Sequence, residues 1–183
     1  MKILIATASK HGSTAQIGAA IAEQLRSAGA EVHVLSPEQV ADVADYDAAI
    51  LGSAVYMGRW MGTARALLHR SEAQLRTIPV WLFSSGPLED ASETSEPADA
   101  IAGAAARIGV RGSAVFPGRL SREQLHIGER AVASMAHAAY GDYRDWAAIR
   151  TWARGIAADL TGAAGASPGR FARPLARQPQ AIA

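Results

Sequence analysis

Cysteine is absent from the chain, and its absence removes disulfide frameworks, thiolate nucleophiles and Cys-based zinc or iron–sulfur sites. No apolar run approaches the ~20 residues that cross a bilayer as a helix. A signal-peptide pattern is missing as well, since Met1-Lys2 leads straight into a short apolar stretch. Aromatic residues are few, at 6%, so each can be weighed individually. Charge of one sign is also lacking. The net charge of +1 hides a division: from Thr161 onward there are Arg170, Arg173 and Arg177 and no acid, which leaves the body at about −2. Such a body gives no electrostatic footprint for nucleic acid. It is equally far from the strong acidity of a carrier that docks on basic partners by charge steering. With 183 residues, 49% of them hydrophobic, a cytoplasmic protein built on one folded domain is expected.

What the chain does have is an alternation of short apolar runs and helical windows. The runs are Ile3–Ala6, Glu31–Leu35, Ala48–Leu51, Pro79–Phe83 and Ser113–Phe116. Helical spacing appears in Ile17, Ile21, Leu25 and Ala28, then in windows near 61–75 and 97–108. It returns in Trp146, Ile149, Ala153, Ile156 and Leu160, with Asp142 or Asp145 near the start of that last helix. Continuous apolar strands separated by helices predict a parallel sheet covered on both faces. Five such units predict an α/β doubly wound sandwich, with a five-stranded sheet in the order 2-1-3-4-5. In that architecture a ligand sits at the carboxyl ends of the strands, by the switch point.

The loops at those ends are rich in hydroxyls and glycine. The first is Thr7-Ala8-Ser9-Lys10-His11-Gly12-Ser13-Thr14, between the first strand and the first helix. Free amides and the positive dipole end of a helix, with Ser and Thr hydroxyls added, make a phosphate site there. No G-x-x-x-x-G-K-[ST] run occurs, which argues against a P-loop nucleotidase, and the loop holds no G-x-G-x-x-G. The bland alternative is an ordinary turn in which Ser13 or Thr14 caps the helix. The third and fourth strands end in Gly52-Ser53 and Ser84-Ser85-Gly86-Pro87, and the fifth in Pro117-Gly118. Residues 118–140 exceed a simple connection, and Leu125, Ile127, Val132, Met135 and Tyr140 suit a further helix. Beyond Thr161 the Ala, Gly, Pro, Arg and Gln composition predicts a disordered tail over 162–183.

These residues carry a family resemblance. Ser9, Gly12 and Thr14 fall on the hydroxyl-x-hydroxyl-Gly-x-Thr phosphate signature of flavodoxin-like flavoproteins, with His11 at the second hydroxyl position. Three further stretches resemble the branch that contains the menaquinone-dependent protoporphyrinogen oxidases. They are Ser53-Ala54-Val55-Tyr56-Met57-Gly58, Phe116-Pro117-Gly118-Arg119-Leu120 and Gly141-Asp142-Tyr143-Arg144-Asp145-Trp146. The resemblance covers residues 1–160 and implies an FMN-binding domain over 1–161. It places the phosphate on Ser9, Lys10, His11, Gly12, Ser13 and Thr14. His11 would either donate from its ring or flank the loop through its main chain. Ribityl and ring contacts would come from Ser53, Ala54, Val55, Tyr56, Met57 and Gly58, and from Ser84, Ser85, Gly86, Pro87 and Leu88. Tyr56 is the candidate to stack beside the flavin; Trp60 either covers that loop or buries its indole, while Trp81, Trp146 and Trp152 suit the core.

A flavin performs the difficult chemistry itself, which fits a sequence without an evident catalytic triad or carboxylate pair. The resemblance therefore implies an FMN oxidoreductase passing electrons from an organic substrate, such as a porphyrinogen, to a quinone or other acceptor. Arg119, Arg122 and His126 would approach the open edge of the flavin, where guanidinium forks suit substrate carboxylates. The rival reading is an electron carrier or FMN-binding protein without its own substrate. His33, His69, His126 and His137 have no metal-ligand spacing. Residues 121–140 and the tail arginines leave room for peripheral contact with the inner membrane face, where a quinone would be met.

Overall fold

The computed structural model describes residues 1–56, 58–86, 99–120 and 141–162. Strand β1 (Lys2–Ala8) is followed by α1 (Ser13–Ser27), β2 (Glu31–Leu35) and a 3-10 turn at Pro37–Gln39. Then come β3 (Ala48–Tyr56), β4 (Arg59–Trp60), α2 (Gly62–Arg70), α3 (Glu72–Leu75) and β5 (Val80–Gly86). The chain continues through α4 (Asp99–Ile108), β6 (Gly112–Pro117), β7 (Arg119–Leu120), β8 (Gly141–Asp142) and α5 (Trp146–Leu160).

The five long strands are all parallel and lie in the order β2-β1-β3-β5-β6. Counted among themselves they run 2-1-3-4-5, as expected; the label shifts because β4, a two-residue strand, folds back on β3 with Val55 opposite Trp60 and Tyr56 opposite Arg59. Two-residue strands carry too little pattern to be read from sequence, and β7 and β8 escaped notice for the same reason. They form a separate antiparallel ribbon, Arg119 opposite Asp142 and Leu120 opposite Gly141.

Alternation along the strands builds two cores. On one face Leu4, Ala6, Leu51, Val80 and Leu82 meet Leu67 and Leu68 of α2, Leu75 of α3, and Ile101 and Ile108 of α4. On the other, Ile3, Ile5, Ile50, Trp81 and Phe83 meet Ile17, Ile21 and Leu25 of α1, and Ile149, Ala153 and Ile156 of α5. Trp152 packs edge-on to Phe83 and Phe116, with ring centroids 6.2 and 5.6 Å away. Trp81 is fully buried, and Trp146 and Trp152 border the same core. Two glycines allow close approach. A Cβ on Gly18 would stand 2.6 Å from Thr7 Cγ2, and one on Gly52 only 2.1 Å from Phe83 Cζ.

The expected 61–75 helix is two, broken at Ser71. The first turn of α5 is capped by Asp145, whose carboxylate accepts from the Ala148 amide at 2.9 Å. Met57, Pro87, Leu88, Arg122 and His126 lie outside the described residues. So do the helix suggested within 121–140 and, apart from Gly162, the tail.

Candidate functional site

Buried polar groups are costly unless they are bonded or reserved for a ligand, so their location in a fold is informative. Among the described residues, the buried serines and threonines are Thr7, Ser13, Thr14, Ser53, Ser71, Ser84 and Ser85. All but Ser71 stand at the carboxyl ends of β1, β3 and β5 or in the first turn of α1. Register brings them together: Ala8 pairs with Ser53, Ser53 with Ser84, and Ala54 with Ser85. This is the edge of the sheet where β1 and β3 flank the switch point.

Strands β3 and β5 run further than their apolar cores suggested, through Tyr56 and Gly86. Ser53 to Tyr56 and Ser84 to Gly86 are therefore held by strand pairing rather than by loops. Hydroxyl-rich strand ends lack the apolar signal by which the sequence marks a strand. Ser53 Oγ accepts from the Met61 amide at 2.9 Å and donates to the Ala54 carbonyl at 2.8 Å. Trp60 is buried, and its Nε1 donates to Ser84 Oγ at 2.8 Å. The indole thus belongs to the core beneath this edge. Tyr56, at the tip of β3, is 44% exposed.

The turn from β1 to α1 is open at its end. Gly12 is the N-cap, in a left-handed conformation with φ 79°, and contributes no side-chain cap. Neither Ser13 nor Thr14 caps the helix; both lie inside its first turn. The first intrahelical bond runs from the Gln16 amide to the Gly12 carbonyl at 3.0 Å. By helix geometry, the amides of Ser13, Thr14 and Ala15 then point out of the helix end. No acid occupies that first turn, so nothing there repels an anion. Ser9 and His11 are half-buried beside it, and Lys10 is exposed.

The β7–β8 ribbon stands against the same turn. The Arg119 amide donates to Ser13 Oγ at 3.1 Å, and Arg144 donates to Gln16 Oε1. Arg144 also grips Asp142 with two bonds, Nε to Oδ1 at 2.7 Å and Nη2 to Oδ2 at 2.6 Å. That grip holds the Asp142 carboxyl below its ordinary value, with the Arg144 amide and the Arg119 charge acting in the same direction. Sequence reading placed Arg119 near this site but missed Arg144, Asp142 and Gln16 as parts of it. The prior signal for Asp142 and Arg144 was the Gly-Asp-x-x-Asp-Trp pattern before α5, and Gln16 had none.

Among the described residues, no group of His, Asp or Glu is arranged to hold a metal ion, and no helix is long and apolar enough to cross a membrane.

The fold has many solved relatives. A flavodoxin from the domain Archaea is 14% identical, with a TM-score of 0.58 over 88% of this chain and 99% of that one. A flavodoxin variant from Pseudomonas aeruginosa is 17% identical, with a TM-score of 0.58 over 88% of this chain and 100% of that one. The rubredoxin oxygen:oxidoreductase of Desulfovibrio gigas is 15% identical, with a TM-score of 0.60 over 90% of this chain but only 37% of its own. No curated protein is significantly similar in sequence. The family model described as the flavodoxin domain matches residues 4–145. With that match spanning most of a chain whose strand order is 2-1-3-4-5, the protein belongs to the flavodoxin family.

Proposed function

We propose that this chain binds FMN, the cofactor of flavodoxin-family proteins, at the carboxyl edge of its sheet and works as an oxidoreductase. The observation that carries the reading is the gathering of buried hydroxyls around an uncapped, acid-free helix N-terminus. A phosphate group needs such donors, and the residues present fit it. Ser9, Lys10, His11, Gly12, Ser13 and Thr14 would hold the phosphate. Ser53 to Gly58 and Ser84 to Leu88 would hold the ribityl chain and ring, with Tyr56 stacked on the flat face. Stacking of this kind stabilises by about 0.5–1.5 kcal/mol beyond area burial.

When bound, the flavin supplies the electron transfer itself. The protein's own part is to orient the ring, exclude water from it, and let main-chain amides face its pyrimidine edge, which favours the reduced anion. The electron source in this reading is an organic substrate, with a porphyrinogen as the candidate, and the acceptor is a quinone or similar molecule. Arg119, Arg122 and His126 would face the substrate. Support for this finer part comes from the Phe116–Leu120 and Gly141–Trp146 stretches, which resemble the protoporphyrinogen oxidase branch.

A second reading, an electron carrier without its own substrate, also has an observation in its favour. The stretch leaving the site end of β5 carries Glu89, Asp90, Glu93, Glu96 and Asp99 and no cation. An acidic run of this kind in the sequence suits charge-steered docking on a basic partner.

An absorbance spectrum of the purified protein, repeated after FMN is added and the excess removed, tests the cofactor. Retained flavin bands are expected; a colourless protein that leaves FMN fluorescence unquenched overturns the proposal. Anaerobic oxidation of a porphyrinogen with a quinone acceptor then separates the two readings. Turnover supports the enzyme, and flavin reduction only by a partner protein supports the carrier.

A further inference from the structure

Arg144 is an unusual residue for its position. Its side chain is only 4% exposed, although charged side chains are rarely buried without a partner. Three contacts make that burial tolerable. Asp142 takes the guanidinium as a fork, Gln16 Oε1 accepts from Nη1, and the Trp146 ring lies 4.4 Å from the guanidinium carbon. A planar, five-donor group meets all three at once; a lysine ammonium would reproduce the charge and not the geometry.

The arrangement does not serve the helix on which it acts. A cation next to a helix N-terminus opposes the dipole, and among the described residues Arg119 and Arg144 both bond to the first turn of α1 while the carboxylate of Asp142 is taken up by Arg144. An anion at that turn reverses the sign of the interaction. Gln16, meanwhile, is the first residue whose amide is bonded within α1. Holding its side chain, with Ser13 Oγ held from the same ribbon, fixes the direction in which the three preceding amides point.

We propose that Arg144 is a positioning residue for the phosphate end of the FMN site: held by Asp142 and Trp146, it fixes the first turn of α1 through Gln16. The inference rests on the FMN reading above. Its test compares FMN with riboflavin, which lacks the phosphate, in the full chain and in the Arg144→Lys and Gln16→Ala variants. Gln16 is exposed, so its truncation leaves the core intact even where Arg144→Lys disturbs folding. Both variants are expected to weaken FMN about ten-fold, the size of one charge-assisted hydrogen bond, and to leave riboflavin unchanged. In the flavin-free protein, amide exchange at Gln16 and Ile17, the first amides bonded within α1, should quicken in both variants while exchange in β1 stays slow. A wild-type protein that prefers FMN, with variants that keep the full preference, overturns the positioning role and leaves the cofactor reading standing. An equal loss for FMN and riboflavin also overturns it. A wild-type protein that binds neither overturns the cofactor reading, and the inference with it.

Discussion

Gly18 lies in the middle of α1, where exchange for alanine ordinarily stabilises a helix by ~1 kcal/mol. Here the gain should reverse. The added methyl would meet Thr7 Cγ2 at 2.6 Å, and a β-branched side chain in a buried strand has little freedom to turn away. Gly18→Ala is expected to lose about 1–3 kcal/mol, the usual cost of overpacking, in a urea titration. Combining it with Thr7→Ser removes the opposing methyl and should recover most of the loss. Trp60→Phe isolates a different effect, because it leaves Ser84 Oγ, in a residue 8% exposed, without its indole donor. The same titration should show a loss of about 1–3 kcal/mol. Neither glycine's role nor the Trp60 bond was legible in the sequence. Each depends on a residue from another strand or helix, and such pairs exist only once register is set. The hydroxyls of the site, Ser53, Ser84 and Ser85, were legible where the third and fourth strands end, but not as residues paired with one another across the sheet.

Elements were read well where their signal is repetitive and poorly where it is brief. The five apolar runs and α1 and α5 followed from period alone. The extra residues of β3 and β5, the break at Ser71 and the β4, β7 and β8 strands did not. Asp145 was one of two candidates for the start of α5, and the structure separates them: Asp145 caps the helix, and Asp142 binds Arg144. Asp145→Ala should therefore cost about 0.5–2 kcal/mol, read as a lowered thermal midpoint at all moderate pH. Asp142→Asn should behave differently. The carboxyl of Asp142 is held below its ordinary value of 3.8, chiefly by the Arg144 side-chain bond. A depressed folded pKa contributes stability that is present in full above the unfolded value and is lost as pH falls through the folded one. Asp142→Asn should thus melt earlier than wild type at neutral pH, and the two midpoints should converge in strong acid. A gap that persists there would show that the ion pair is not its source.

At the scale of the whole molecule, net charge says how much charge there is and not where it lies. A body near neutrality argued against a carrier, yet the average conceals Glu89, Asp90, Glu93, Glu96 and Asp99 in one stretch of sequence without a cation. Steering depends on where charge is placed rather than on its sum. If the acidic stretch guides a basic partner, replacing Glu89, Asp90 and Glu93 by their amides should slow flavin reduction by that partner. The effect should fade as salt is raised past ~0.15 M, where the screening length is ~8 Å. A rate insensitive to both changes would leave the carrier reading without its support.

The paired ribbon has one more consequence. Leu120 and Gly141 face each other in register, so residues 121–140 depart and return at a single doorway. The closure of that excursion is already made by the ribbon, and altering its length costs only slowly, about 0.6 kcal/mol per doubling. The chain can therefore lengthen, shorten or exchange that cassette while β6 stays in register with β5 and the clasp on α1 remains shut. Both ends of that segment are thus anchored beside the turn assigned to the phosphate.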